Sequence, residues 1–253
     1  MAKLSVVLAT FNEEKNLSDC LSSIKDFADE IIVVDGSSVD KTVEIAKRFG
    51  AKTVVTTNPK MFHINKQKAI DMASKDWILQ LDADERVSPE LKSEIKSKIS
   101  NSKSEANGYY LPRKNWFLGR FLMKGGQYPD YSLRLYRKGY GYLPQKDVHE
   151  QAVVKGKTEY LKSPLVHFAD PNFSRYIVRF DRYTSLLSEN IKKEKIGYNP
   201  FMGIKYILIL PILWFLKTYL RHKGFMDSWQ GFVFSFFSSL RFPVAYVKYI
   251  KTL

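Results

Sequence analysis

The chain has 253 residues, room for one large domain or a domain with an appendage, and 45% of them are hydrophobic, which excludes wholesale disorder. Lys and Arg outnumber Asp and Glu by 40 to 26, a formal net charge of +14 that calls for an anionic partner: nucleic acid, an acidic membrane surface or phosphorylated substrates. A single cysteine, Cys20, excludes an intrachain disulfide and a cysteine-rich zinc site and fits a reducing compartment.

The start, MAKLSVVLATFNEE, has too short an apolar run and acids too early for a secretory signal, so the expectation is a chain made and kept in the cytoplasm. LSVVLA (4–9) is an unbroken apolar run and predicts a strand buried on both faces. Leu17, Cys20, Leu21, Ile24, Phe27 and Ala28 recur at helical spacing and predict an amphipathic helix. IIVVD (31–35) predicts the second strand, and Asp40 can cap a helix that runs to Phe49 and ends at Gly50. KTVVT (52–56) is the third strand, a helix follows over 63–74, and WILQL (77–81) is the fourth strand. Ser88 and Pro89 then read as a helix cap and a first-turn proline.

Strands alternating with helices predict an α/β fold, a mostly parallel Rossmann-like sheet flanked by helices. Such sheets bind ligands at the carboxyl ends of their strands, here Thr10, Phe11 and Asn12, then Asp35, then Asp82 and Asp84. A nicotinamide site is excluded, because the turn after the first strand, TFNEEKN, has no glycine to let a pyrophosphate approach the backbone. In an extended segment Asp82 and Asp84 would share one face, and two hard oxygen donors there suit Mg²⁺ or Mn²⁺.

LSVVLATFNEEKNL, IIVVDGSSVDKT and WILQLDADE together resemble the family-two inverting glycosyltransferases of the GT-A fold. The later stretch GGQYPDYSLRLYRKGYGYLPQKDVHEQ is similar to the branch that includes lipopolysaccharide-core β-glucosyltransferases. The resemblance implies that Thr10, Phe11 and Glu13 line a nucleotide pocket and that Asp35 contacts the base. It implies that Asp82 approaches the ribose or metal and that Asp84 holds a divalent metal on the diphosphate of a nucleotide-sugar donor. It also points to Glu150, in Val-His-Glu, as the general base, with Asp147 and His149 as possible auxiliaries. His63 and Lys66 fall where the family's donor pocket continues.

Arg134 and Arg137 in RLYR would reach a diphosphate or an anionic acceptor, or else lie on a solvated strand face. Trp116 and Phe117 form an acceptor wall or belong to the core.

Residues 1–170 are expected to be the catalytic domain, with a nucleotide half over 1–100 and an acceptor half over 101–170, and 171–253 a helical region that associates with membrane. Residues 206–216 carry no charge, but Pro211 interrupts them, and about 20 apolar residues are needed to span. WQGFVFSFFSSLRFPVAYVKYIK is aromatic and interrupted by Arg241 and Pro243. Aromatic residues mixed with Lys and Arg suit a headgroup boundary, which predicts a peripheral or monotopic enzyme on the cytoplasmic leaflet of the plasma membrane. The basic residues then need no nucleic acid. The reading is a transfer of sugar from a UDP-sugar to a lipid-linked or envelope glycan such as lipopolysaccharide core. The alternatives are a polyprenyl-phosphate glycosyltransferase, a nucleotidyltransferase and a non-catalytic membrane-binding protein.

Overall fold

The computed structural model describes residues 2–59, 61–145, 151–194 and 200–252. They divide into two compact units, one formed by Met1–Arg113 and Asp130–His167, the other by Lys114–Pro129 and Phe168–Leu253.

The first unit opens with β1 (Leu4–Thr10), α1 (Glu14–Ser22), β2 (Glu30–Asp35), α2 (Thr42–Arg48), β3 (Lys52–Val55), α3 (His63–Met72) and β4 (Trp77–Leu81). In chain order β5 (Glu85–Val87), α4 (Pro89–Ser100), β6 (Gly108–Phe117), β7 (Arg120–Phe121), β8 (Asp130–Arg137), β9 (Gly141–Tyr142), β10 (Val153–Val154), β11 (Thr158–Tyr160) and β12 (Leu165–Asp170) follow, β7 and the ends of β6 and β12 falling in the second unit. The sheet runs β3-β2-β1-β4-β8-β6-β12-β5, parallel from β3 to β4 and antiparallel where β8 joins β4 and β6. β4 is buried at every position, Gln80 included, as befits a central strand. Leu4, Val6, Leu8, Leu79 and Leu81 pack on α1 and α4 through Leu17, Leu21, Leu91 and Ile95, while Val7, Ile32, Val34 and Ile78 pack on α3 through Ala69 and Ile70.

Local signals set the boundaries closely. Ser88 Oγ accepts from Leu91 N at 3.2 Å with Pro89 in the first turn, and Asp40 Oδ1 accepts from Thr42 N at 3.0 Å. The first helix is shorter than its apolar spacing predicts, because Ser23 intervenes. Its hydroxyl donates to Cys20 O at 2.7 Å and accepts from Val87 N at 3.1 Å, so Ile24 and Phe27 reach the core from separate turns.

The second unit holds α5 (Phe173–Lys193), capped by Asn172, and two further helices, Pro200–Arg221 and Ser228–Ile250. Segment 114–129 belongs here because Phe117 and Leu122 bury against Tyr176, so Phe117 is core rather than an open wall. The break expected at Pro211 is absent. The helix continues over 22 residues, with the Lys205–Ile209 turn just before the proline widened to i→i+5 spacing, a form that absorbs a disrupted hydrogen-bond ladder. Pro243 is likewise carried inside its helix. Among the described residues Pro200–Arg221 is the one helix long and apolar enough to cross a membrane, by length and composition.

The Ser88 cap is testable in urea unfolding: Ser88→Ala should cost about 1 kcal/mol without changing the slope. A neutral result would mean that Pro89 and tertiary packing alone fix the start of α4.

Candidate functional site

The site is built on the carboxyl edge of the parallel strands. Thr10 and Asp35 are register partners at the ends of β1 and β2, and Thr10 Oγ1 donates to Asp35 Oδ2 at 2.8 Å. Asp35 is fully buried, and it also accepts from Ser38 N at 2.7 Å and Ser38 Oγ at 2.6 Å. The carboxylate expected to contact a base thus also shapes the loop after β2.

That loop is laced to the one after β1. Asn12, in a left-handed conformation at φ 55°, donates its N–H to Ser38 Oγ at 2.8 Å, and its Oδ1 accepts from Val39 N at 2.9 Å. Glu13 N donates to Thr42 Oγ1 at 2.7 Å, while Glu13 Oε2 accepts from Asn16 Nδ2 at 2.7 Å. Between these anchors Phe11 is 44% exposed, which leaves its ring available to a planar ligand.

The acidic cluster after β4 is not extended. Glu85 N donates to Asp82 O at 3.0 Å and Asp82 N donates to Glu85 Oε2 at 2.8 Å, a closed turn that sends Asp82 and Asp84 to different partners. Asp82 Oδ1 lies 2.5 Å from Lys66 Nζ and Oδ2 accepts from Arg134 Nη2 at 2.6 Å. The same Arg134 nitrogen lies 3.0 Å from Glu85 Oε1, and Arg113 Nη1 is 3.9 Å from that oxygen. Arg113 in turn donates to Asp130 Oδ2 at 2.7 Å. Asp130, Arg113, Glu85, Arg134, Asp82 and Lys66 thus alternate in sign, three acids against three bases.

Arg134 was expected to face a diphosphate or solvent; instead it is buried. Tyr109 pairs with Leu135 and Tyr110 with Leu133, which leaves Arg134 as the extra residue of a β-bulge. A bulge re-aims one side chain without breaking the strand, and here it delivers the guanidinium to the two acids. Burial penalises the Asp82 charge, yet the Arg134 and Lys66 cations outweigh it and hold this carboxyl well below its usual range. Burial likewise opposes the Arg134 charge, and Asp82 and Glu85 raise its pKa in spite of that. Cys20, buried nearby, has its thiol pushed up by burial, so it is no nucleophile.

Asp84 faces His167 instead, Oδ1 to Nε2 at 3.6 Å across to β12. Among the described residues no three of His, Cys, Asp and Glu converge on one metal-sized point. An imidazole and a carboxylate side by side nevertheless fit a divalent ion that keeps water and phosphate in its remaining positions. His63 is buried rather than presented, while Trp116 packs edge-on against Phe121 at 4.8 Å. Glu150, His149 and Asp147 lie outside the described residues.

Two outcomes follow from the charge chain. Arg134→Met leaves fully buried Glu85 without its guanidinium partner and should cost about 3–5 kcal/mol in denaturant unfolding. Because the folded Asp82 pKa lies below its unfolded value of about 3.9, its stabilisation is present above that pH and lost as pH falls through the folded value. Asp82→Asn should therefore flatten the acid limb of a stability–pH curve, and an unchanged limb would show that other carboxylates govern acid unfolding.

Residues 5–144 match the sequence model of Glycosyl transferase family 2. A relative named as an uncharacterized glycosyltransferase of Rickettsia typhi is 28% identical over 244 residues, spanning 92% of this chain and 82% of the relative. The lipopolysaccharide core biosynthesis glycosyltransferase LpsC of Rhizobium meliloti is 26% identical over 251 residues, with 94% of this chain and 91% of LpsC covered. Among solved structures, S. aureus TarS 1–349, in complex with UDP, is similar with a TM-score of 0.50 at 16% identity, covering 89% of this chain and 75% of that one. At that identity the likeness is one of fold. The chain belongs to glycosyl transferase family 2 and is a glycosyltransferase of the GT-A fold.

Proposed function

We propose that this glycosyltransferase is inverting and metal-dependent, and that it moves a hexose from a UDP-sugar to a lipid-linked or envelope glycan, with lipopolysaccharide core as the leading acceptor. The observation that carries the reading is one sheet edge with two separated functions: a laced pair of loops at Thr10 and Asp35, and beside it Asp84 facing His167. The name of LpsC supports the acceptor class, and the UDP complex of TarS supports the donor class.

In this reading Thr10, Phe11 and Glu13 border the nucleotide, and Asp35 acts by holding the loop that receives the base. Asp84 and His167 hold Mg²⁺ or Mn²⁺, which offsets the charge of the departing diphosphate. Asp82, already compensated by Lys66 and Arg134, borders the ribose. The acceptor hydroxyl attacks the anomeric carbon as the bond from that carbon to the diphosphate oxygen breaks. The hydroxyl proton passes to Glu150, with Asp147 and His149 beside it in sequence. The exposed Pro200–Arg221 helix and its basic flanks favour work at the cytoplasmic face of the membrane, where a lipid-linked acceptor is presented.

Calorimetric titration of UDP and GDP, each with Mn²⁺ and with chelator, tests this. UDP should bind only with metal, and Asp84→Ala and His167→Ala should both abolish the metal requirement together with tight binding. Glu150→Gln should keep UDP binding and lose about 10²- to 10⁴-fold in transfer. Failure of wild type to bind either nucleotide would sink the proposal. Full transfer by Glu150→Gln would favour a polyprenyl-phosphate acceptor, whose nucleophile is already an anion.

A further inference from the structure

In the second unit the helices Pro200–Arg221 and Ser228–Ile250 form an antiparallel hairpin. Tyr206 stacks on Tyr246 at 5.2 Å, Trp214 meets Phe242 at 5.8 Å, and Tyr219 meets Phe232 at 5.7 Å. Midway along it one indole collects two cations. The Arg241 guanidinium carbon lies 4.0 Å from the Trp214 ring centroid and Lys217 Nζ lies 4.9 Å from it. Trp214 Nε1 donates to Ser238 Oγ at 3.3 Å, which fixes the ring between the helices.

A ring face holds a cation but does not neutralise it. Arg241 Nε is enclosed without a hydrogen-bond acceptor, and neither Arg241 nor Lys217 has an acid partner among the described residues. A half-buried guanidinium ordinarily carries a carboxylate or a phosphate. The hairpin has no acid to spare. From residue 200 onward the sequence holds seven Lys and Arg but one acid, Asp227. Asp227 is 2% exposed and accepts from Lys124 N at 2.6 Å, with Arg120 Nε at 3.7 Å. The α5 helix packed on the hairpin gives Asp181 to Lys248 at 2.6 Å and, among the described residues, pairs no acid with Arg241 or Lys217, so their anion must come from elsewhere. Beside Trp214, Leu213 is 57% and Leu216 43% exposed, apolar surface that an inorganic ion would not cover.

We propose that Arg241, Lys217 and Trp214 form a site for the phosphate ester of a lipid, with the two cations on the phosphate and Leu213 and Leu216 against its hydrocarbon. A phospholipid headgroup presents that phosphate as a diester and a lipid-linked glycan as a monoester or diphosphate; the chemistry recognised is the same. Only the source of that phosphate rests on the membrane reading above.

The test uses the full chain and vesicles of phosphatidylcholine with phosphatidylglycerol, scored by co-sedimentation, with Trp emission recorded in parallel against Trp214→Phe. Arg241→Gln and Lys217→Gln should each weaken vesicle binding by about tenfold or more, the scale of a lost charge-assisted hydrogen bond. Lys251→Gln removes the same charge from the exposed end of the chain and should weaken it about fivefold, the diffuse electrostatic effect of one basic residue. Arg241→Lys should restore part of the loss. Lys217 is exposed, so its variant keeps the test valid if Arg241→Gln loosens the hairpin. Equal losses in all three Gln variants would overturn the site in favour of general attraction. A saturable emission change with inorganic phosphate alone, at matched ionic strength and absent in Arg241→Gln, would assign the site to free phosphate and overturn the lipid. UDP titration of the same preparations separates the two proposals, since it should be unchanged by Arg241→Gln. Wild type that binds vesicles but no nucleotide would fail the proposed function and leave this site standing.

Discussion

The buried guanidinium of Arg134 is the constraint on which the catalytic unit depends. A central strand buried at every position ends in three acids within four residues, and water cannot neutralise Glu85 where it lies. Arg134 meets both Asp82 and Glu85 with a single nitrogen, and Arg113 and Lys66 extend the alternation on either side. These residues come from both halves of the sheet, so the charges fasten the parallel strands that carry the Thr10 and Asp35 loops to the antiparallel strands beyond them. Such pairs return little net stability once desolvation is counted. What they supply is position: the turn at Asp82 is closed, and Asp84 is left turned toward His167.

The same division explains why two neighbouring aspartates have unlike environments. A D-x-D pattern on an extended strand would give two equivalent ligands on one face. The 82–85 turn makes them inequivalent, one compensated by two fixed cations and the other set beside an imidazole. A fixed cation and a metal ion are alternative ways to hold a carboxylate charged, and only the second brings open coordination positions for phosphate.

Much of the first hundred residues was legible in the sequence because the signals there are local. Buried runs of five or six residues, the Ser88 cap, the Asp40 bond to Thr42 N and the left-handed Gly50 place β1 to β4 and the helices between them closely, apart from the early end of α1 at Ser22. The site was legible as an edge and not as a geometry. Arg134 reaches Asp82 from 52 residues away through a bulge, and a bulge leaves no periodicity to read. His167 is a lone histidine in LVHFAD, 83 residues after the aspartate it faces, and nothing in its neighbourhood distinguishes it from a core histidine. Asp35 falls at a strand end as expected, but its bonds from Thr10 and Ser38 leave no local signal in the sequence. The uncharged run 206–216 is too short to span, but the helix extends past Lys205 and Lys217 to Pro200–Arg221, and a widened turn carries Pro211.

From residue 200 onward the chain carries a net +6 of its formal +14. In the chain from Asp130 to Lys66 three acids and three bases alternate and cancel. The hairpin does the opposite, gathering seven basic residues against one acid that is itself enclosed. Fixed counter-charges there hold the Asp82 and Glu85 carboxylates in place. Uncompensated cations on Trp214 can be satisfied only by something that arrives. A chain that neutralises its buried acids and leaves its apolar helices cationic has separated the group that must be held rigid from the surface that must find a partner.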